Sequence, residues 1–193
     1  IEEALKVDPD SSQAYVSLGT VRSQSGQAQE AEAAFRRAIS LAPASVDPKL
    51  AFANFLWAAN RVPEAEAAII EARSIDPKHL LANRMLSVLY LVTKRAPQAE
   101  APLRAIAEVT NAPAAQLQLA DYYASVGRTA EATGILAPLA ANQATFVDAE
   151  ARLAVLAYRA GRLPEAHKRL DGVLARVPTR APVLLKKAHS LAP

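Results

Sequence analysis

Three histidines are the residues of this chain best suited to metal binding or proton transfer, and they stand far apart, at His79, His167 and His189. A zinc site of the H-E-x-x-H kind needs two histidines one turn apart on a single helix face. None of the three has an i,i+4 histidine partner, and no recognised metal motif forms around them. Ser11, Ser12, Ser17, Ser23 and Ser25 have no neighbouring base to activate a hydroxyl. The six glycines form no P-loop, no GxGxxG and no GxSxG elbow. Acidic pairs such as Glu2-Glu3 and Glu30/Glu32 are one or two positions apart, so they do not share a helix face. Without cysteine, thiolate nucleophiles, disulfides and zinc–thiolate sites are all excluded. The expectation is a non-enzymatic chain with no catalytic residue, no metal and no cofactor.

The elements that would position any site are helical. Half of the 193 residues are hydrophobic, only 5% are aromatic, and alanine supplies much of the apolar count. Alanine is the strongest helix former and lets helices approach closely. The net charge is +3, from 22 Lys and Arg against 19 Asp and Glu, with no block of five or six like charges. A nucleic-acid arm would carry such a block. The longest apolar runs, such as 86–92, are far short of the roughly 18–20 residues that span a bilayer. The chain opens at Ile1 inside a helical pattern and its one methionine is Met85, so it reads as a fragment of a longer, bacterial protein.

Self-similarity organises the sequence. Turn residues fall at Gly26, Asn60, Lys94, Gly127 and Gly161, at steps of 34, 34, 33 and 34 residues. An alanine follows each turn by five residues: Ala31, Ala65, Ala99, Ala132 and Ala166. Four residues on comes a large apolar side chain: Phe35, Ile69, Leu103, Leu136 and Leu170. Pro63, Pro97 and Pro164 stand where second helices begin, and Glu30, Glu64, Glu131 and Glu165 lie in the same first turns. Pro9, Pro43, Pro77 and Pro178 close second helices. The unit ending near 142–146 lacks that proline, which predicts a longer or looser connection.

The first complete unit carries Tyr15, Leu18-Gly19, Gly26, Ala31, Phe35, Ala38 and Pro43, and this pattern resembles the tetratricopeptide repeat. Later units put Phe52-Ala53, Leu86-Ser87, Leu119-Ala120 and Leu153-Ala154 where the first has Leu-Gly. The resemblance implies an all-α fold, a right-handed superhelical solenoid of antiparallel helix pairs in one continuous domain. Its repeats are expected at 12–45, 46–79, 80–112, 113–146 and 147–180. Residues 1–11 are expected to end a truncated preceding repeat, and 181–193 to form the first helix of a following one.

In this family the first helices line a concave groove, so the resemblance also implies a site. The candidate groove residues are Val16, Thr20, Asn54, Trp57, Arg84, Val88, Leu91, Gln118, Asp121, Arg152, Tyr158 and Arg159, with Gln13, Gln24, Leu50, Ser125, Val155, Lys186 and His189 on the same face. Trp, Tyr and Arg dominate binding hot spots, and the Asn54 amide suits a peptide backbone. The competing readings are a Trp57 packed between first helices and an Arg84 solvated or paired with an acid such as Asp121. A clamp for chaperone C-terminal tails needs Lys and Asn one turn apart. The pairs Val16/Thr20, Leu50/Asn54, Arg84/Val88, Leu117/Asp121 and Ala151/Val155 do not supply it.

The function implied is a protein–protein interaction scaffold or adaptor that binds a peptide or protein partner on its concave face. The Ala-rich, Pro-punctuated style points to a bacterial envelope or secretion assembly, with the compartment, cytoplasmic or periplasmic, left open. The alternative is a regulatory or spacer array of a larger protein whose active domain lies elsewhere. No nucleic-acid partner is expected, because the inner positions Val16, Leu50, Arg84, Leu117 and Ala151 are mostly apolar. Exposed repeat ends predict a homo-dimer.

Overall fold

A computed structural model of the chain describes residues 2–176, and among them the backbone forms eleven α-helices and no strand. The helices are α1 (Glu2–Val7), α2 (Ser12–Gln24), α3 (Ala28–Leu41), α4 (Val46–Ala58), α5 (Val62–Ile75), α6 (Leu80–Val92), α7 (Ala96–Thr110), α8 (Pro113–Ser125), α9 (Thr129–Ala141), α10 (Phe146–Arg159) and α11 (Leu163–Arg176). Pro178, Lys186, His189 and the helix expected over 181–193 lie outside the described residues. No helix among those described is long and apolar enough to cross a membrane.

One backbone device ends every first helix. Gly26, Asn60, Lys94, Gly127 and Gly161 all adopt positive φ, between 59° and 79°. The residue after each then donates its N–H back to a carbonyl five positions earlier: Gln27 to Arg22, Arg61 to Leu56, Arg95 to Tyr90, Arg128 to Tyr123 and Arg162 to Ala157, at 2.7–2.9 Å. This bond satisfies a carbonyl that the helix end would leave unpaired. It also turns the chain sharply, so the next helix runs antiparallel to the one before.

Packing within each pair rests on small residues. The alanines five residues after the turns are almost fully buried, from 0% exposed at Ala31 to 2% at Ala166. Gly19 lies directly under the Phe35 ring, and a Cβ at Gly19 would sit 2.9 Å from it. The later pairs replace that glycine by Ala53, Ser87, Ala120 and Ala154, all buried, and replace Phe35 by the less bulky Ile69, Leu103, Leu136 and Leu170. Small and large positions thus change together. Phe35 also meets Phe55 and Phe52 of α4 at 5.4 and 6.2 Å between ring centroids, which joins the first repeat to the second.

The connection at 142–145 corrects the sequence expectation of a longer segment, since it has four residues like those at 42–45 and 76–79. Thr145 does the work of the missing proline: its buried hydroxyl donates to the Leu139 carbonyl at 2.5 Å and ties the loop to the end of α9.

The chain divides into two compact units, Ile1–Val109 and Thr110–Pro193. Within the first, consecutive pairs are joined by ion pairs of constant spacing. Arg61 holds Glu32 at 2.6 Å, and Arg95 holds Glu66 through two bonds of 3.0 and 2.7 Å. Each joins the residue after a turn to the residue after the buried alanine of the preceding repeat.

Two expectations follow. Gly19→Ala should destabilise the fold by about 1–3 kcal/mol through overpacking, and adding Phe35→Leu should recover part of that loss in denaturant titrations. Strictly additive effects of the two substitutions would show that the ring is not the obstruction. The second concerns acid. Hydrogen bonds from Arg61, then from Arg36, hold the Glu32 carboxyl down at about 2 against an ordinary value of 4.5. A depressed carboxylate stabilises the fold fully above its unfolded value, and the contribution is lost as pH falls from 4.5 towards 2. Arg61→Ala should therefore raise the Glu32 midpoint in a carboxyl NMR titration and shift acid unfolding to higher pH.

Candidate functional site

Helix register decides which side chains α4 and α6 present to solvent. Leu50, Ala53 and Leu56 are buried on α4, and Ala82, Leu86 and Leu89 on α6. Asn54 and Arg84 are therefore exposed and Trp57 is half-buried. Leu50, which the sequence placed on the inner face, is only 3% exposed and belongs to the core. Its neighbour one turn on, Asn54, joins Trp57, Ala58, Arg84, Met85 and Val88 around an open cavity of about 430 Å³.

The cavity has an apolar floor and two polar groups at its edges. Trp57, Ala58, Met85 and Val88 supply carbon surface, and Val88 is 48% exposed. Leu81, Leu91 and Val92, all exposed, extend this stripe along α6. No acidic residue lines the cavity. The side chains of Asn54 and Arg84 have no hydrogen-bond or ion-pair partner among the described residues. Asn54 offers both a donor and an acceptor, and Arg84 a planar array of donors.

The other candidates fall elsewhere. Val16 is half-buried on α2, and the exposed Thr20 hydroxyl donates to the Val16 carbonyl at 2.9 Å, a bond internal to the helix. In the second unit Gln118 and Asp121 are exposed on α8. Asp121 is engaged by Arg152 of α10 through a forked pair of 2.8 and 2.9 Å, so its charge is already matched. Tyr158 is half-buried and Arg159 exposed at the end of α10. A second cavity, of about 400 Å³, is lined by Phe146, Glu150, Glu165, Lys168, Arg169 and Gly172. There Arg169 bonds both Glu150 and Glu165, and the Arg176 guanidinium sits 3.9 Å from the Phe146 ring centroid.

His79 has a structural role: its Nδ1 accepts from the Ala82 N–H at 3.4 Å and caps α6. His167 is exposed on α11. Sequence reasoning missed Met85 and Ala58, although Leu81, Met85, Val88 and Val92 have the spacing of one helix face. It also missed the polar side chains standing where the first repeat has Tyr15. Lys49 reaches Glu71 at 3.3 Å, and the buried Asn83 amide donates to the Pro77 and His79 carbonyls at 2.9 and 3.0 Å. Both positions follow Tyr15 at the 34-residue period, which was the available signal.

Because Trp57 is the only tryptophan and is half-buried in the cavity, indole fluorescence reports on this site alone. Acrylamide should quench it readily in the folded protein, and an occupant of the cavity should reduce the quenching constant. A Trp57 as inaccessible as a core indole would place it in the helix contact instead.

Tetratricopeptide-repeat family models match residues 22–77 and 50–116. No protein of curated function matches the sequence. Among solved structures, YrrB, described as a TPR protein with an unusual peptide-binding site, superposes with a TM-score of 0.71 at 18% identity, over 98% of this chain and 97% of its own. MamA gives 0.67 at 16% identity, over 90% and 96% of the two chains. Pseudomonas aeruginosa PilF gives 0.62 at 19%, over 97% and 86%. At these identities the likeness is one of fold. The family models thus identify tetratricopeptide repeats over residues 22–116, and the fold of antiparallel helix pairs, which carries the 34-residue signature, is that of an all-α tetratricopeptide solenoid, a fold that supports protein–protein interaction scaffolds in general.

Proposed function

We propose that this chain serves as the docking segment of an adaptor, holding a peptide segment of a protein partner on the first-helix face of its first unit. The observation that carries this reading is the α4–α6 cavity, where an apolar floor lies between two polar side chains that have no partner among the described residues. By contrast, the buried Lys49 ammonium reaches Glu71 and the Asn83 amide nitrogen donates to carbonyls of its own repeat. The Asn54 and Arg84 side chains bond nothing among the described residues, and a partner supplies what they lack. The peptide-binding site named for YrrB supports the same use of a similar fold. The Ala-rich, Pro-punctuated sequence favours a bacterial envelope or secretion assembly as the setting.

The test is a displayed library of random 12-residue peptides selected on the purified protein, alongside a Trp57→Ala variant shown by circular dichroism to keep its helices. Enriched sequences that bind the parent, shield Trp57 from acrylamide and lose at least about tenfold in affinity to the variant would support the site, since hot-spot aromatics carry energies of this order. Enrichment that Trp57→Ala leaves untouched would move docking off this face. Absence of any enrichment would favour a spacer array.

A further inference from the structure

We infer that the α4–α6 cavity selects extended peptides in which an internal Asp or Glu stands two residues from a bulky apolar side chain. The inference rests on the docking reading above and specifies the chemistry of its occupant.

Charge supplies the first half of the argument. Arg36, Arg37, Arg61, Arg95, Arg152 and Arg169 each bond a carboxylate of this protein. Arg84 bonds none among the described residues, and the cavity it lines contains no acid. An arginine beside apolar surface is matched by a carboxylate that arrives with the ligand, because the planar guanidinium and the carboxylate form two parallel charge-assisted bonds. Asn54, on the facing helix, offers one donor and one acceptor, the complement of a peptide unit. A main-chain partner beside a side-chain partner suits a peptide running through the cavity, and so an internal acidic residue instead of a chain terminus.

Spacing supplies the second half. From Arg84 to Val88 along α6 is about 6 Å at the helix rise. Alternate residues of an extended peptide point the same way and stand about 6.6 Å apart. An acid over Arg84 therefore puts the side chain two positions away over Val88 and Met85, against Trp57. The exposed stripe from Leu81 to Val92 is about 16 Å long by the same rise, room for about five extended residues.

The experiment repeats the library selection with the peptides held between fixed flanks, so that none has a free C-terminus, on the parent protein and on Arg84→Glu. The parent should enrich Asp or Glu two positions from Leu, Ile, Phe or Met. Arg84→Glu, at an exposed position with no side-chain partner among the described residues to disturb, should exchange that acid for Lys or Arg. A synthetic peptide of the enriched sequence, blocked at both ends, should lose about 10- to 100-fold in affinity when its acid becomes the amide, as expected for a hydrogen bond to a charged group. Apolar sequences that depend on Trp57 but show no acidic preference would overturn this inference and leave the docking site standing. An acidic preference unchanged in Arg84→Glu, or binding that needs a free C-terminal carboxylate, would also overturn it. A library that yields nothing would remove both the site and its specificity.

Discussion

Where the two helices of a repeat pack, buried small residues stand on the first helix and a large apolar side chain on the second. In the first repeat the partners are Gly19 and Phe35, so close that even a methyl group would collide with the ring. The buried alanines from Ala31 to Ala166 keep the same contact narrow along the second helices. Close approach removes apolar surface from water on both helices and leaves few voids, which is the main favourable term available to a fold built from thin helical layers. A repeat cannot bury its apolar face alone, so each pair depends on the next.

The turns and the ion pairs serve that contact. Five left-handed residues, three of them glycine, reverse the chain at the same point of each repeat. The residue that follows gives its N–H to the end of the first helix, and in the first unit the same residue, as Arg61 or Arg95, reaches back to a glutamate of the repeat before. Arg95 also lies 5.1 Å from the Tyr90 ring centroid. One position thus ends a helix, orients the next and fixes the step between repeats. Asn60 and Lys94 accept an unfavourable backbone conformation there, compensated by the hydrogen bonds that the turn closes.

Around the α4–α6 cavity of the first unit the Asn54 and Arg84 side chains have no partner among the described residues, whereas in the second unit Asp121 and Arg152 neutralise each other across α8 and α10. A surface that has answered its own charges has less to offer a ligand. The contrast singles out the α4–α6 cavity among faces that the repeat symmetry makes formally equivalent.

Much of the fold was legible in the residues alone, because the repeat writes its constraints as residue types at a fixed period. Positive φ selects Gly or Asn, close approach selects Ala, and helix starts select Pro and Glu, so these columns could be read without coordinates. Lys94 in a left-handed turn shows that position in the repeat outweighs local preference. The candidate site was legible in part: Asn54, Trp57, Arg84 and Val88 meet in one cavity, while Leu50 is core. Met85 and the polar contacts of Lys49 and Asn83 were not anticipated, because a periodic pattern marks which face a residue shares and not what it touches. The residues alone determined the helices, their turns and the small-against-large columns, all consequences of local sterics repeated every 34 positions. Only the tertiary structure decided which polar side chains are bonded and which are not among the described residues, since that depends on distances between residues about 30 positions apart.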